Sequence, residues 1–201
     1  MLWRADYPLV LASGSAARRA LLAAAGLPFE AIPADVDERA IEASLPQAAP
    51  ADLALALARA KAEAVSAQRP QALVIGADQV LSCEGALFHK PATHEEALRT
   101  LASLSGRTHR LTSAFTLARG GEIVAAQADA ADLTMRALDE AALALYLDAA
   151  GPAALGCVGV YQWEGLGAHL FERVEGDHST ILGLPMLKLL AALRGLGALA
   201  F

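Results

Sequence analysis

The stretch from Tyr7 to Arg19, Tyr-Pro-Leu-Val-Leu-Ala-Ser-Gly-Ser-Ala-Ala-Arg-Arg, constrains the fold more than any other part of the chain. An apolar run stops at small hydroxyl residues and a glycine, then passes directly into the helix-like Ala20-Leu21-Leu22-Ala23-Ala24-Ala25-Gly26. Strand, tight turn and helix in that order open an α/β unit. A helix start presents unpaired N–H groups and the positive end of the helix dipole, and this one carries Arg18 and Arg19, so the turn suits a phosphate-bearing ligand. Its spacing matches neither Gly-x-x-x-x-Gly-Lys-Ser/Thr nor Gly-x-Gly-x-x-Gly, and a Ser-capped surface helix with solvated arginines accounts for it equally well.

A chain of 201 residues can bury a substantial core without a metal or disulfide staple, and we read residues 1–201 as one domain. The hydrophobic share of 55% owes much to alanine, and no run approaching the roughly 20 residues needed to span a bilayer escapes charge, Gly or Pro. Met1-Leu2-Trp3-Arg4-Ala5-Asp6 lacks the pattern of a secretory signal. The expectation is a cytoplasmic protein with no membrane partner. Cys83 and Cys157 form no C-x-x-C pair and read as reduced thiols. A formal net charge of -6 argues against nucleic acid as a partner, whose binding relies on basic patches. Any phosphate site must therefore be local. Among 16 basic residues lysine occurs only at 61, 90 and 188, so a retained lysine reads either as a compact ammonium for phosphate oxygens or as an ordinary solvated one.

Phe29 to Pro33 reads as a short strand, followed by the acidic Asp35-Val36-Asp37-Glu38 and a loop between Pro46 and Pro50. Asp52 is the expected N-cap of a long helix running to about Gln68 and carrying Lys61. Ala72 to Gly76 reads as a strand buried on both faces, with Asp78 at its carboxyl end, where ligands bind in open α/β sheets. Gln79 to Cys83 and Ala86 to Phe88 suggest a hairpin around Glu84-Gly85 that ends at His89-Lys90-Pro91, and Thr93 caps a helix with Glu95 and Glu96 in its first turn. Two long strands, about 109–119 and 122–135, flank Gly120-Gly121. Leu138 to Ala149 reads as a helix, Gly156 to Gly167 as a shaped glycine-rich loop, Ala168 to Val174 as a strand, and Leu184 to Arg194 as the last helix. The fold class is α/β, a mixed twisted sheet with flanking helices and two lobes around a central cleft.

These motifs together resemble the Maf-like nucleoside triphosphate pyrophosphatases. The matches are Leu11-Ala12-Ser13-Gly14-Ser15 with Arg18-Arg19, Asp35-Val36-Asp37-Glu38, Ala60-Lys61-Ala62, Ile75-Gly76-Ala77-Asp78-Gln79-Val80, Lys90-Pro91, Ser105-Gly106-Arg107-Thr108-His109, Glu164-Gly165-Leu166-Gly167, and Glu175-Gly176-Asp177 with Gly183-Leu184-Pro185. Each is weak alone, but they run in the family's order along nearly the whole chain.

The resemblance implies hydrolysis between the α- and β-phosphates of a nucleoside triphosphate, assisted by Mg²⁺ or Mn²⁺, and a fold shared with inosine triphosphatases. A triphosphate must be screened before water attacks it, which suits Arg18, Lys61 and Lys90, with Ser13 and Ser15 adding hydrogen bonds. Glu38 and Asp78 are hard oxygen ligands for the metal, and Asp78 is similar in position to the family's proton acceptor. Asp78 also fits an Asp capping a turn, and Glu38 a solvated acidic loop. Arg107 suits either phosphate or its own turn, and Arg19 either phosphate or solvent. His109 reads as structural, and Glu175 and Asp177 either support the metal or pack nearby. The expectation that ties these together is that the opening turn, Lys61, Lys90 and Asp78 share one cleft.

Base choice divides the family. Gln79 and Glu164 resemble the 7-methyl-GTP branch, where the dTTP and UTP branch has Thr and Gln. A carboxylate accepts from the N1–H and 2-amino edge of guanine, and Trp163 offers a face to a cationic methylated ring. Ala17 stands where that branch often carries an aromatic residue, and Ala16 where the first motif has proline. The other readings are a dTTP/UTP pyrophosphatase, a deaminated-purine pyrophosphatase, whose Ser-Gly-Asn-x-x-Lys start is absent here, and a non-catalytic nucleotide sensor controlling septum formation. A homodimer is implied by the resemblance alone.

Overall fold

The computed structural model describes residues 2–201. The expected order of elements is present, with β1 (Leu9–Leu11), α1 (Ala16–Ala24), β2 (Phe29–Ala31), α2 (Glu38–Ser44), α3 (Pro50–Gln68), β3 (Leu73–Cys83), β4 (Ala86–Phe88), α4 (His94–Leu104), β5 (Thr108–Arg119) and β6 (Glu122–Met135). They are followed by α5 (Glu140–Ala150), two 3-10 turns (Pro152–Gly156 and Leu166–Leu170), β7 (Phe171–Glu175), α6 (His178–Ile181) and α7 (Met186–Gly195). Among the described residues seven strands form one sheet in the order β2-β1-β3-β5-β6-β7, with β4 paired to β3. It is mixed: β1 runs parallel to β2 and β3, while β4 is antiparallel to β3 and β7 to β6. The turn between β5 and β6 is Gly120-Gly121 with φ of 58° and 86°, the pair of positive values that a two-residue hairpin turn matching strand twist requires.

The chain divides into two compact units. The first comprises the chain up to Gln79, Thr112–Asp129 and the segment from His178, and the second comprises Val80–Leu111 and Ala130–Asp177. In the first, alternation along β1 and β3 builds two cores. Leu9, Leu11, Leu73 and Ile75 pack with Leu22 of α1 and Leu189 and Leu193 of α7, while Val10, Ala12 and Val74 pack with Val65 of α3. Side chains two apart share a strand face, so helices cover both faces here and the strands read as continuous apolar runs. In the second unit α4 buries Ala97, Leu101 and Leu104, α5 buries Leu143, Tyr146 and Leu147, and the two helices pack together.

Several boundaries differ from the sequence reading. The α3 helix starts at Pro50 rather than after Asp52: Pro50 takes the first helical position, which needs no N–H donor, and Asp52 lies in the first turn. The acidic run is not all loop, because the Asp37 side chain caps α2 by accepting from the Ala40 N–H at 3.0 Å, with Glu38 in the first turn. The short helix α6 has no counterpart among the expected elements. Most consequentially, the strand read up to Gly76 and the hairpin arm from Gln79 to Cys83 are one strand, β3, so Asp78 lies inside it and not at its end. Asp78 and Gln79 sit in a buried strand because each has polar partners there, Lys61 for Asp78 and the Thr180 and Ile181 carbonyls for Gln79.

Candidate active site

Gly76 sets the geometry of the first unit. A Cβ built there would lie 2.0 Å from the Ala58 carbonyl oxygen and 2.6 Å from the Ala62 backbone nitrogen, so α3 crosses β3 in direct backbone contact. Ala58 and Ala62 are four apart on one face of α3, and Lys61 lies on the same stripe. Asp78, two residues beyond Gly76, points from the same face of β3. The close crossing therefore brings Lys61 and Asp78 together, with Nζ donating to Asp78 Oδ1 at 2.5 Å. Both residues are buried, with 8% and 7% of their surface exposed. The exposed Glu38 reaches the same ammonium at 2.7 Å. Two carboxylates thus converge on one cation.

Beside them lies the opening turn. Ser15 caps α1, its Oγ accepting from the Arg18 N–H at 3.4 Å, and the Ser15 N–H donates to Ser13 Oγ at 3.2 Å. The half-buried Arg18 guanidinium does more than face solvent. Nη1 donates to Ser13 Oγ (3.2 Å) and to the Ala77 carbonyl (2.9 Å), and Nε donates to the Gly183 carbonyl (2.8 Å). It thereby ties the turn after β1, the residue before Asp78 and the loop before α7 into one frame. Burial lowers its pKa, against which Asp78 and Glu38 act to raise it. Gly183 adopts φ of 93°, and a Cβ there would meet Arg18 Nε at 3.3 Å. Arg19 is exposed, as is Ala16, and Ala17 is half-buried.

Gln79 is committed inside the fold. Its Nε2 donates to Ser113 Oγ (3.0 Å) and to the carbonyls of Thr180 (3.1 Å) and Ile181 (2.9 Å). Carbonyls only accept, which fixes the orientation of the amide. Sequence reasoning missed the carbonyls of Ala77, Gly183, Thr180 and Ile181, because a backbone acceptor has no signature in a sequence. Lys188 is bound to the Ala128 carbonyl at 2.7 Å and to Asp129 at 3.0 Å, so the retained lysines do not share one role.

The second unit holds the remaining candidates. Lys90 is exposed and borders an open pocket of about 280 Å³, together with Phe88, His89, Pro91 and Arg99. Arg107 is exposed and paired with Glu84 at 2.7 Å, which favours the turn-stabilising alternative. Glu175, likewise exposed, pairs with Arg173 at 3.1 Å. Glu164 is exposed, and Trp163 and Phe171 pack in a T-shaped pair with ring centroids 5.7 Å apart. Burial raises the Cys157 thiol pKa; Glu164 raises it further and Lys90 lowers it, which places Glu164 and Lys90 in one electrostatic neighbourhood.

Beneath the Trp163 loop sits a neutral cluster. His109 is 1% exposed, and its Nε2 shares a 2.7 Å hydrogen bond with the Tyr161 hydroxyl. Burial holds the imidazole down to about 4 and pushes the Tyr161 hydroxyl well above the ordinary phenol range, so both are uncharged at neutral pH. Next to Tyr161, the fully buried Val160 has φ of 62°, a conformation that costs a β-branched residue about 1–3 kcal/mol. Its N–H donates to the Cys157 carbonyl at 3.1 Å and its carbonyl accepts from the Tyr146 hydroxyl at 3.1 Å.

The family model described as Maf-like protein matches residues 8–196. The chain belongs to the Maf-like family. A relative from Bradyrhizobium diazoefficiens named nucleoside triphosphate pyrophosphatase is 55% identical over 193 residues, covering 96% of each chain. One from Mesorhizobium japonicum named 7-methyl-GTP pyrophosphatase is 53% identical over 193 residues, covering 95% of this chain and 97% of the relative. The solved structure of a nucleoside-triphosphatase / dITP/XTP pyrophosphatase from Mycobacterium abscessus is similar at a TM-score of 0.42 and 16% identity, covering 94% of this chain and 95% of that one. No described helix of this Maf-like chain is long and apolar enough to cross a membrane.

Proposed function

We propose that this chain hydrolyses 7-methyl-GTP to the nucleoside monophosphate and pyrophosphate. In class it is a nucleoside triphosphate pyrophosphatase, a hydrolase of acid anhydrides, as its relatives at 50–55% identity are named. The observation that carries the reaction is the buried Lys61 ammonium held by both Asp78 and Glu38.

In this reading Asp78 orients the attacking water and takes its proton as the water oxygen bonds to the α-phosphorus and the α–β bridging bond breaks. The bridging electrons leave with pyrophosphate. Lys61 and Lys90 are assigned to phosphate oxygens, and Ser13, Ser15 and the α1 N-terminus supply donors. Arg18 holds the frame around Ser13 and Ala77 and adds its charge at short range.

Among the described residues no group of three or more His, Cys, Asp or Glu side chains is placed to hold a metal. Mg²⁺ or Mn²⁺ nevertheless fits, because such ions use one or two carboxylates and complete their shell with water and phosphate. Glu38 and Asp78 already converge on a cation and would hold it. When bound, the ion would neutralise phosphate charge.

The preference for 7-methyl-GTP is supported by the exposed Glu164 carboxylate beside Trp163 and by the name of one relative. Gln79 contributes through the frame it holds at Thr180 and Ile181. The test is pyrophosphate release by purified protein over a nucleotide panel with Mn²⁺ and with Mg²⁺. Fastest turnover of 7-methyl-GTP is the expected result. Faster dTTP or UTP would move the chain to the pyrimidine branch, and binding without turnover would make it a sensor.

A further inference from the structure

Outside the charged cluster, the loop from Cys157 to Gly167 is tightly constrained. It is held from several sides. The Tyr161 ring folds back over Gly159, where a Cβ would lie 2.3 Å from it. The Gln162 carbonyl accepts from the N–H groups of both Gly165 and Gly167 at 3.1 Å, and a Cβ on Gly167 would meet that carbonyl oxygen at 2.5 Å. Val160 keeps its left-handed backbone. Three aromatic contacts then run outward: His109 to Tyr161 at 5.6 Å, Tyr161 to Phe171 at 4.7 Å, and Phe171 to Trp163 at 5.7 Å between ring centroids.

Hydrophobic packing alone does not call for an imidazole at the base of this stack. His109 Nδ1 is buried without a hydrogen-bond partner, so the residue retains an unpaired polar atom for the sake of the one bond that Nε2 makes. That bond joins β5 to the loop at Tyr161, two residues before Trp163 and three before Glu164. A buried polar pair fixes orientation where apolar contacts allow sliding.

We infer that His109 and Tyr161 are positioning residues for base selection: their hydrogen bond locks the strained Val160-Tyr161 turn and so sets where Trp163 and Glu164 present themselves to the nucleobase. The inference rests on the assignment of Trp163 and Glu164 to base recognition. It gives the buried histidine of the Ser105–His109 motif a role in selectivity and none in phosphate chemistry.

The test uses Tyr161→Phe, which deletes only the hydroxyl, in a Trp3→Phe background so that Trp163 is the sole tryptophan. The expected result is a fall of about tenfold in the kcat/KM ratio of 7-methyl-GTP to dTTP, carried by KM for 7-methyl-GTP more than by kcat, within the range that pocket contacts discriminate. Quenching of Trp163 fluorescence by acrylamide should rise in the same variant. His109→Gln, whose amide can still meet the Tyr161 hydroxyl, should keep the ratio, and His109→Leu should lose it.

A folded Tyr161→Phe protein with unchanged ratio and unchanged quenching would overturn the inference. Should that variant not fold, equal ratios in His109→Gln and His109→Leu would overturn it instead. Glu164→Gln, run in parallel, separates the two levels. If it leaves the ratio unchanged, the base-recognition assignment falls and with it the role in selectivity, whereas a shift in Glu164→Gln without one in Tyr161→Phe removes only the positioning role.

Discussion

The two units solve opposite problems. In the first, charge is concentrated: Lys61, Asp78 and Glu38 meet within 2.7 Å, with Arg18 alongside. In the second, the buried polar groups His109 and Tyr161 are neutral and stacked among rings, and the charged pairs Arg107–Glu84 and Arg110–Asp132 stay at the surface. A desolvated charge is strongly destabilising without a partner, so the first cluster is rigid in composition and tolerates little change. The neutral pair instead ties β5 to the loop that carries Trp163 through one hydrogen bond and a stack of rings. The proposed phosphate chemistry draws on the first arrangement, and the proposed positioning of Trp163 and Glu164 on the second.

The largest expected effect tests the charged side of that contrast. Asp78→Asn should lower turnover by roughly 10³-fold, because it removes the carboxylate proposed to accept the proton while keeping the shape, and nucleotide binding should remain measurable by calorimetry. Wild-type turnover in this variant would take Asp78 out of the mechanism.

Packing beneath the same cluster comes next. Gly76→Ala puts a methyl group 2.0 Å from the Ala58 carbonyl oxygen, and chemical denaturation should report a loss of about 3 kcal/mol or more. A much smaller loss would mean that α3 shifts easily on β3, and the Lys61–Asp78 contact would then owe less to this crossing.

The neutral side has its own signature in pH. The His109 pKa of about 4 lies below its ordinary value of 6.5, so between those values the unfolded chain binds a proton that the folded chain refuses. Stability therefore falls as pH drops through that window, by roughly 3 kcal/mol in total, and rises again toward neutrality. Denaturation curves from pH 7 to 4 should show this slope, and His109→Gln should flatten it. An unaltered slope would mean that His109 takes its proton while folded, against a neutral cluster.

Smaller still is the effect on substrate choice. Glu164→Gln should shift the ratio of 7-methyl-GTP to dTTP hydrolysis about tenfold toward dTTP, without a matching change in stability. Smallest of all, Arg110→Ala removes an exposed bidentate pair with Asp132 and should cost about 1 kcal/mol or less, screened by salt. A larger, salt-independent loss would show that charge matters to the second unit after all.

Much of this was legible in the residues themselves. The Ser13-Gly14-Ser15 turn with its Ser15 cap, the β3–β4 hairpin at Glu84-Gly85, the Thr93 cap and the Gly120-Gly121 turn each depend on neighbours within a few positions, and each is present as read. The α2 start at Asp37 carried a legible cap signal that the adjoining acidic run obscured. Asp78 lies inside β3 although the residues alone place it at a strand end, because a carboxylate in an apolar run reads as a terminator until its partner is known. That partner, Lys61, lies 17 positions away.

By itself the sequence determined the α/β class, the order of the strands and longer helices, most local caps and turns, and family membership, since these follow from periodicity, backbone preference and motifs in series. Only the tertiary structure decided which groups meet. It brought Lys61 to Asp78 and Glu38, turned the Arg18 guanidinium onto the carbonyls of Ala77 and Gly183, and tied Gln79 to Thr180 and Ile181. It also set His109 beneath Tyr161. Hydrogen bonds and ion pairs act over about 3 Å, and only helix-on-sheet packing brings residues distant in sequence that close.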